Sequence, residues 1–116
     1  MRETAIPSVA IVLTTLGKDD DARAIATVLV EERLAACVNI IPKVTSIYAW
    51  EGRLSEDEEQ QLVIKTSVAQ LAALETRLFE LHSYTTPEFL VIKVSGGSEA
   101  YLDWVRDSVA DSATDD

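Results

Sequence analysis

Cysteine, histidine and basic residues are scarce in this chain of 116 residues, and each scarcity excludes a class of protein. A single cysteine cannot form an internal disulfide, so no oxidising compartment is implied. One cysteine and one histidine cannot form a Cys/His zinc cage within one chain, so a strong transition-metal site must use carboxylates or be shared between subunits. Ten Lys and Arg against 20 Asp and Glu give a net charge of −10, which argues against binding to nucleic-acid phosphates.

Long hydrophobic runs are also absent near the start of the chain. The first apolar run covers residues 9–13, whereas a secretory segment needs about 7–15 apolar residues and a membrane span about 20. We therefore expect a soluble, cytoplasmic protein with no membrane partner. Hydrophobic residues make up 47% of the chain, which is enough for a core. At this length we expect a single domain, residues 1–116, with an ordered body over about 8–109 and an acidic flexible tail over 110–116.

The hydrophobic pattern predicts strands and helices in a recognisable order. The first predicted elements are a strand at 9–13 and a helix of about 15 residues capped by an Asp at 19–21. A hairpin follows, with an extended arm at 36–50 that Pro42 interrupts with a bulge, a turn at 51–53 and a returning arm at 54–67. The last elements are a helix from a Ser67–Gln70 capping box to near His82, a strand at 88–94, and a helix capped by Ser98 with Tyr101, Trp104, Val105 and Val109 on one face. This β-α-β-β-α-β order with an extra C-terminal helix predicts an α+β protein of the ferredoxin-like type, with helices on one face of an antiparallel sheet.

The predicted hairpin is too long for a domain of this size to cover. Each arm has about 15 residues, whereas strands usually have 3–10. Tyr48 and Trp50 lie near the tip on one face, where they would form an exposed aromatic patch. We therefore expect a homo-oligomer that pairs strands through these arms; the alternative is a shorter, bent hairpin in a monomer. The four acids at 56–59 point alternately to opposite faces, which favours a solvated strand edge over a cation site.

Several separate segments resemble one known family, in the right order and over about residues 8–109. These segments are EERLAACVNIIP at 31–42, TSIYAWEGR at 45–53, Lys65-Thr66, HSYTTPE at 82–88 and YLDW at 101–104. Together they are similar to the CutA divalent-cation tolerance family. The resemblance implies a ferredoxin-like subunit that assembles as a homotrimer through the long hairpin formed by the arms at 36–50 and 54–67. It also implies a role in tolerance of divalent metals, copper especially, and no enzymatic activity.

The resemblance also points to a metal ligand. Some relatives are thought to bind copper through a Cys in the first strand and two adjacent His after the second helix. Here the Cys position falls on Thr14 and the first His on Leu81, so that only His82 remains. His82 is the candidate ligand for Cu²⁺ or another divalent cation, with Glu88 or a neighbouring subunit adding oxygens. The alternative is a histidine that simply caps the helix carbonyls.

Six polar and aromatic residues of the family pattern are candidates for a ligand cleft between subunits. They are Trp50, Glu51, Lys65, Tyr84, Glu88 and Tyr101. A small anionic or metabolite ligand would make the protein a PII-like small-molecule-binding regulatory trimer. The alternatives are an interfacial salt bridge between Lys65 and Glu88 or Glu51 with aromatic packing, and a structural or partner-binding trimer without ligand. Cys37 is expected to be an inert core thiol.

Overall fold

The structure, a computed structural model, describes residues 8–110, so most of the predicted acidic tail lies outside the described residues. Its elements are β1 (Val9–Gly17), α1 (Ala22–Glu31), β2 (Cys37–Trp50), β3 (Arg53–Ser67), a 3-10 turn (Val68–Gln70), α2 (Leu71–Leu81), β4 (Leu90–Lys93) and α3 (Glu99–Ser108). The strands form one antiparallel sheet in the order β2-β3-β1-β4. The predicted α+β, ferredoxin-like order of elements is confirmed.

The main core lies between one face of the sheet and helices α1 and α2. Val12 and Leu16 of β1 and Leu62 of β3 are fully buried there, and they pack with Leu29 of α1 and Leu78 of α2. Successive residues of β1 alternate between buried and half-buried, as expected for a strand with one face on a core. Helix α3 builds a second, smaller cluster near the start of β1.

Helix α1 has 10 residues, shorter than the predicted 15, because a Schellman motif ends it. Arg33 adopts a left-handed conformation with φ 61, and its amide donates to the Val30 carbonyl at 3.0 Å. The Leu34 amide donates to the Leu29 carbonyl at 2.9 Å, which completes the motif. Glycine usually fills this position, so an arginine there gave no stop signal in the sequence.

Two further details differ from the predicted helices. Ser67 makes no side-chain capping bond, and a 3-10 turn precedes α2, so the predicted capping box is wrong. Ser98 does cap α3, since its hydroxyl accepts from the Tyr101 amide at 3.3 Å. The predicted apolar face of α3 is only half right. Val105 is buried with Leu102 and Val109, whereas Tyr101 and Trp104 are each almost half exposed.

The β2–β3 hairpin projects from the body and gives the molecule a long axis of 55 Å against 26 and 22 Å. Its turn is Glu51-Gly52, with φ 52 and 79, the backbone of a type I′ turn. A bulge falls between Ile41 and Val44, as Pro42 predicts. Because Ile41 pairs with Gln61 and Val44 with Glu59, β2 holds one extra residue, and its later side chains exchange faces.

The sheet face opposite α1 and α2 is only partly covered within residues 8–110. Ile11 and Leu13 of β1 are half-buried there, and their cross-strand partners Ile92 and Leu90 are 49% and 55% exposed. The register places Lys65 on this same face, between Ile11 and Cys37. We call this surface the open face. In the described part of the chain, no helix is long and apolar enough to span a membrane.

Candidate functional site

A cleft of 780 Å³ lies between the outer half of the hairpin and the segment that follows α2. The hairpin contributes Tyr48 and Trp50 from β2 and Asp57 and Glu59 from β3. The segment from Ser83 to Glu88 forms the facing wall, and Thr15 of β1 also lines the cleft. We call this cavity the hairpin cleft.

The β2 bulge puts the aromatic and acidic side chains on the same side of the hairpin. After the bulge, Tyr48 pairs with Ser55 and Trp50 with Arg53, so both aromatic residues share a face with Asp57 and Glu59. The Tyr48 hydroxyl donates a hydrogen bond to the Asp57 carboxylate. Without the extra residue in β2, both rings would point away from these acids.

His82 connects the facing wall to the sheet. The ring is 9% exposed, and its Nε2 lies 2.7 Å from the Thr15 carbonyl oxygen. A carbonyl only accepts, so Nε2 carries the proton and donates. The other nitrogen, Nδ1, accepts from the Tyr84 amide at 3.0 Å. The neutral imidazole therefore uses both of its hydrogen-bonding positions, and its role is to hold the segment after α2 against β1.

The same bonds leave His82 without a lone pair for a metal ion in this conformation. At the two other family ligand positions, Leu81 carries no metal-binding group and Thr14 offers only a hydroxyl, which is not a ligand that copper favours. That hydroxyl is buried and has no hydrogen-bond partner within residues 8–110. Among residues 8–110, no three His, Cys, Asp or Glu side chains are grouped so as to hold a metal ion. The geometry of one subunit therefore gives the candidate ligand His82 no support.

Tyr84 is fixed at both ends. Its amide is held by His82, and its hydroxyl donates to the Glu59 carboxylate at 2.7 Å. Burial raises the pKa of the Tyr84 phenol, and the hydrogen bond to Glu59 and the nearby charges of Asp20 and Asp57 raise it further. The bond to Asp57 likewise raises the pKa of Tyr48. Both phenols therefore stay protonated and donate to carboxylates across a wide pH range.

The cleft is acidic. Asp57, Glu59 and Glu88 line it, and among residues 8–110 of one subunit no Lys or Arg does. Just outside, Asp20 accepts from the Ser83 hydroxyl at 3.0 Å. A negative cleft with no basic side chain disfavours the anionic ligand that the sequence suggested.

Only three of the six candidate cleft residues line the hairpin cleft. Trp50, Tyr84 and Glu88 do so. Glu51 is exposed in the turn, and Lys65 lies half-buried on the open face, with no salt bridge to Glu51 or Glu88 within residues 8–110. Tyr101 lies on α3, where its ring is 5.5 Å from that of Trp104. These last three residues therefore do not join the cleft within one subunit.

Sequence reasoning missed Asp57, Glu59 and Tyr48 as cleft residues. The predicted alternation of the acids at 56–59 is correct, since Glu56 pairs with Ile47 on the other face. The carboxylates that point the other way are the ones that meet the segment after α2. Cys37 is also less buried than expected, because it lies half-buried on the open face and not in the core.

Comparison with known proteins gives consistent matches along most of the chain. The sequence model of the CutA1 divalent ion tolerance protein family matches residues 10–108. The divalent-cation tolerance protein CutA of Thermus thermophilus is 47% identical over 98 residues, which are 84% of this chain and 95% of that protein. A solved structure of the T. thermophilus protein covers 88% of this chain and 99% of its own, with a TM-score of 0.84 and 45% identity. The PII-like protein CutA from Nostoc, solved in apo form, has a TM-score of 0.81 and 38% identity, with 87% and 97% covered.

Proposed function

Since this chain belongs to the CutA1 divalent ion tolerance protein family, we propose that it acts in divalent-cation tolerance as a homotrimer whose hairpin clefts bind a ligand. The observation that carries the proposal is the open face, an apolar sheet surface that runs beside the cleft. Assembly and ligand binding would then use adjoining surfaces of the same sheet.

The open face supports self-association. Leu90 and Ile92 expose half of their side chains beside the half-buried Ile11 and Leu13. A contiguous apolar surface on a sheet, whose edge strands β2 and β4 have no further partner strand within residues 8–110, is typical of a surface that another chain covers. Lys65 gives the surface a positive charge that a carboxylate of a neighbouring subunit would pair with.

The projecting hairpin supports the same conclusion. On the side opposite the cleft, Ile47 is 63% exposed and Leu54 is 81% exposed, and Ala49 pairs with Leu54. Two strands alone are marginally stable in water, so a long hairpin with exposed apolar side chains gains most from a neighbouring subunit. A second copy of the chain offers Tyr101 and Trp104, whose rings are also left partly exposed.

A direct metal-binding mechanism receives less support than ligand binding. Copper favours imidazole and thiolate ligands. The single His82 is engaged at both nitrogens, and Cys37 lies on the open face away from the cleft lining. One subunit therefore does not fit a copper ion, and a metal site would have to be completed by a neighbouring subunit. In this conformation His82 is also not available as a general base, because both of its ring nitrogens are engaged.

Light scattering on a size-exclusion column, over a wide range of protein concentrations, tests the assembly. We expect a mass three times that of the 12.7 kDa chain. A single-chain mass at every concentration would contradict the homotrimer.

Calorimetric titration with Cu²⁺, on the wild type and on His82→Ala, tests the metal mechanism. We expect the two proteins to behave alike, provided that circular dichroism shows the variant to be folded. Strong binding in the wild type that His82→Ala abolishes would show that His82 leaves Thr15 or Tyr84 to bind the metal.

A further inference from the structure

We propose that the hairpin cleft binds an organic cation, a substituted ammonium group, in preference to an anion or a bare metal ion. This inference rests on the proposed function, because it specifies the ligand of the same cleft. Three observations carry it: the charge of the lining, its aromatic residues, and the way the carboxylates are held.

The negative charge of the cleft lining favours a ligand with a positive charge. Asp57, Glu59 and Glu88 line the cleft, and the described part of the chain places no basic side chain in that lining. An anion placed there would meet three like charges in a partly enclosed space, where electrostatic interactions are stronger than in open water. A cation would instead gain attraction from all three carboxylates.

Aromatic side chains determine the chemical class of that cation. Tyr48, Trp50 and Tyr84 all line the cleft, and they leave 40%, 61% and 36% of their surface exposed. The faces of Trp and Tyr rings attract alkylammonium groups through their quadrupoles, and several rings around one cavity form the usual site for such groups. Exposed aromatic surface also favours a ligand that carries alkyl groups around its charge over a strongly hydrated metal ion.

The carboxylates are arranged for long-range attraction and not for coordination. Asp57 accepts from Tyr48 and Glu59 accepts from Tyr84, so that a phenol occupies part of the oxygen lone pairs of each acid. No group of three metal-ligating side chains occurs in residues 8–110. A cleft of 780 Å³ is also within the range of small-molecule sites and far larger than a single ion needs.

The facing wall is already in position for such a ligand. Tyr84 is held through its amide, its hydroxyl and its ring, which lies 4.8 Å from that of His82. A ring fixed before binding loses little conformational entropy when the ligand arrives, which favours affinity.

Choline and its neutral isostere 3,3-dimethylbutan-1-ol provide the matched test, because they differ in charge and hardly in shape. Trp104→Phe leaves Trp50 as the one tryptophan of the chain, so its fluorescence reports on the cleft. We expect choline to change this fluorescence in a saturable manner, and to bind at least about tenfold more tightly than the isostere. Succinate and Cu²⁺ are the anionic and metal arms of the same titration.

Variants connect the effect to the cleft. Glu59→Gln and Tyr84→Phe should each weaken choline binding several-fold, whereas Glu56→Gln, which removes a carboxylate from the opposite face of the hairpin, should leave it unchanged. Chemical shifts of residues outside the cleft show that each variant is folded.

The outcomes separate this inference from the proposed function. If choline and its isostere bind equally, or if succinate or Cu²⁺ binds more tightly in a Glu59-dependent or Tyr84-dependent way, the ligand class is wrong and the cleft remains a binding site. If no probe of any charge alters the fluorescence or the melting temperature of a verified trimer, this inference fails together with the ligand-binding part of the proposed function, while the assembly part stands.

Discussion

Replacing Leu90 and Ile92 together by threonine should dissociate the proposed homotrimer and leave the subunit folded. Both side chains point to the open face, where they are 55% and 49% exposed in the single subunit, so the core loses little when they change. Threonine keeps the preference for strand conformation, which preserves β4. The hydroxyl group, however, would have to be buried in the interface without an obvious partner.

The expected size of the effect follows from the exposed fractions. Full burial of a leucine or isoleucine side chain contributes about 1.5–3 kcal/mol, so covering the exposed half contributes about 1 kcal/mol for each residue. Six such side chains in a homotrimer contribute about 6 kcal/mol to assembly, provided that all of them become buried. Losing this weakens the association constant of the trimer roughly 10,000-fold.

Light scattering at several protein concentrations measures the effect directly. The double variant should shift to the mass of one chain at concentrations where the wild type remains associated, while its far-ultraviolet circular dichroism stays the same. Val30→Thr is the matched control, because Val30 is 40% exposed but lies on α1, away from the open face. A double variant that stays associated down to the same concentration as the wild type would refute assembly through the open face.

Three further predictions concern the hairpin turn, a helix cap and the cleft. Gly52→Ala should lower the free energy of unfolding by about 1 kcal/mol in a denaturant titration. Nothing lies within 4 Å of an added Cβ, so the cost comes from the positive φ of 79, which alanine adopts less easily than glycine. Asp21→Ala should cost about 1 kcal/mol, because the Asp21 carboxylate accepts from the Ala24 amide at 3.0 Å at the start of α1. The pKa of Tyr84 is raised in the folded protein, so its contribution to the free energy of unfolding is fully present below pH 10, the ordinary pKa of tyrosine. This contribution is lost as the pH rises through the higher pKa of the folded state. Tyr84→Phe should therefore flatten the fall in stability above pH 10.

Each of these predictions has a control and a contradicting result. Gly96 also has open space around its Cα but no positive φ, so Gly96→Ala should be neutral or slightly stabilising. Equal losses at the two glycines would show that φ is not the cause. Asp19→Ala should have a smaller effect than Asp21→Ala, because Asp21 provides the cap. An alkaline stability profile that is the same for the wild type and Tyr84→Phe would contradict the phenol–carboxylate interaction.

Local signals in the sequence identified most of the fold correctly. Alternation and branched residues identified the strands, Pro42 marked the bulge, and Ser98 marked the start of α3. The errors occurred where tertiary bonds replaced the usual signal. Arg33 lies just after the end of α1, and its side chain donates hydrogen bonds to carbonyls of residues 107–109 at the end of α3. These acceptors are more than 70 positions away in the sequence.

The candidate site was harder to predict, because it depends on which sides of distant elements meet. Trp50, Tyr84 and Glu88 came from a family pattern and do line the cleft. Asp57 and Glu59 looked like part of a solvated run of acids, because nothing in the run itself shows that the segment after α2 lies over one of its faces.

The sequence by itself determined the order of the elements, the reach of the hairpin and the acidity of the chain, since these depend on composition and on periods of a few residues. The tertiary structure alone decided the character of the cleft. One extra residue in β2 brings Tyr48 and Trp50 to the side of Asp57 and Glu59, and the two hydrogen bonds of His82 bring Tyr84 across to meet them. Those contacts join residues from four parts of the chain, so the charge and the shape of the cleft depend on the register of the sheet.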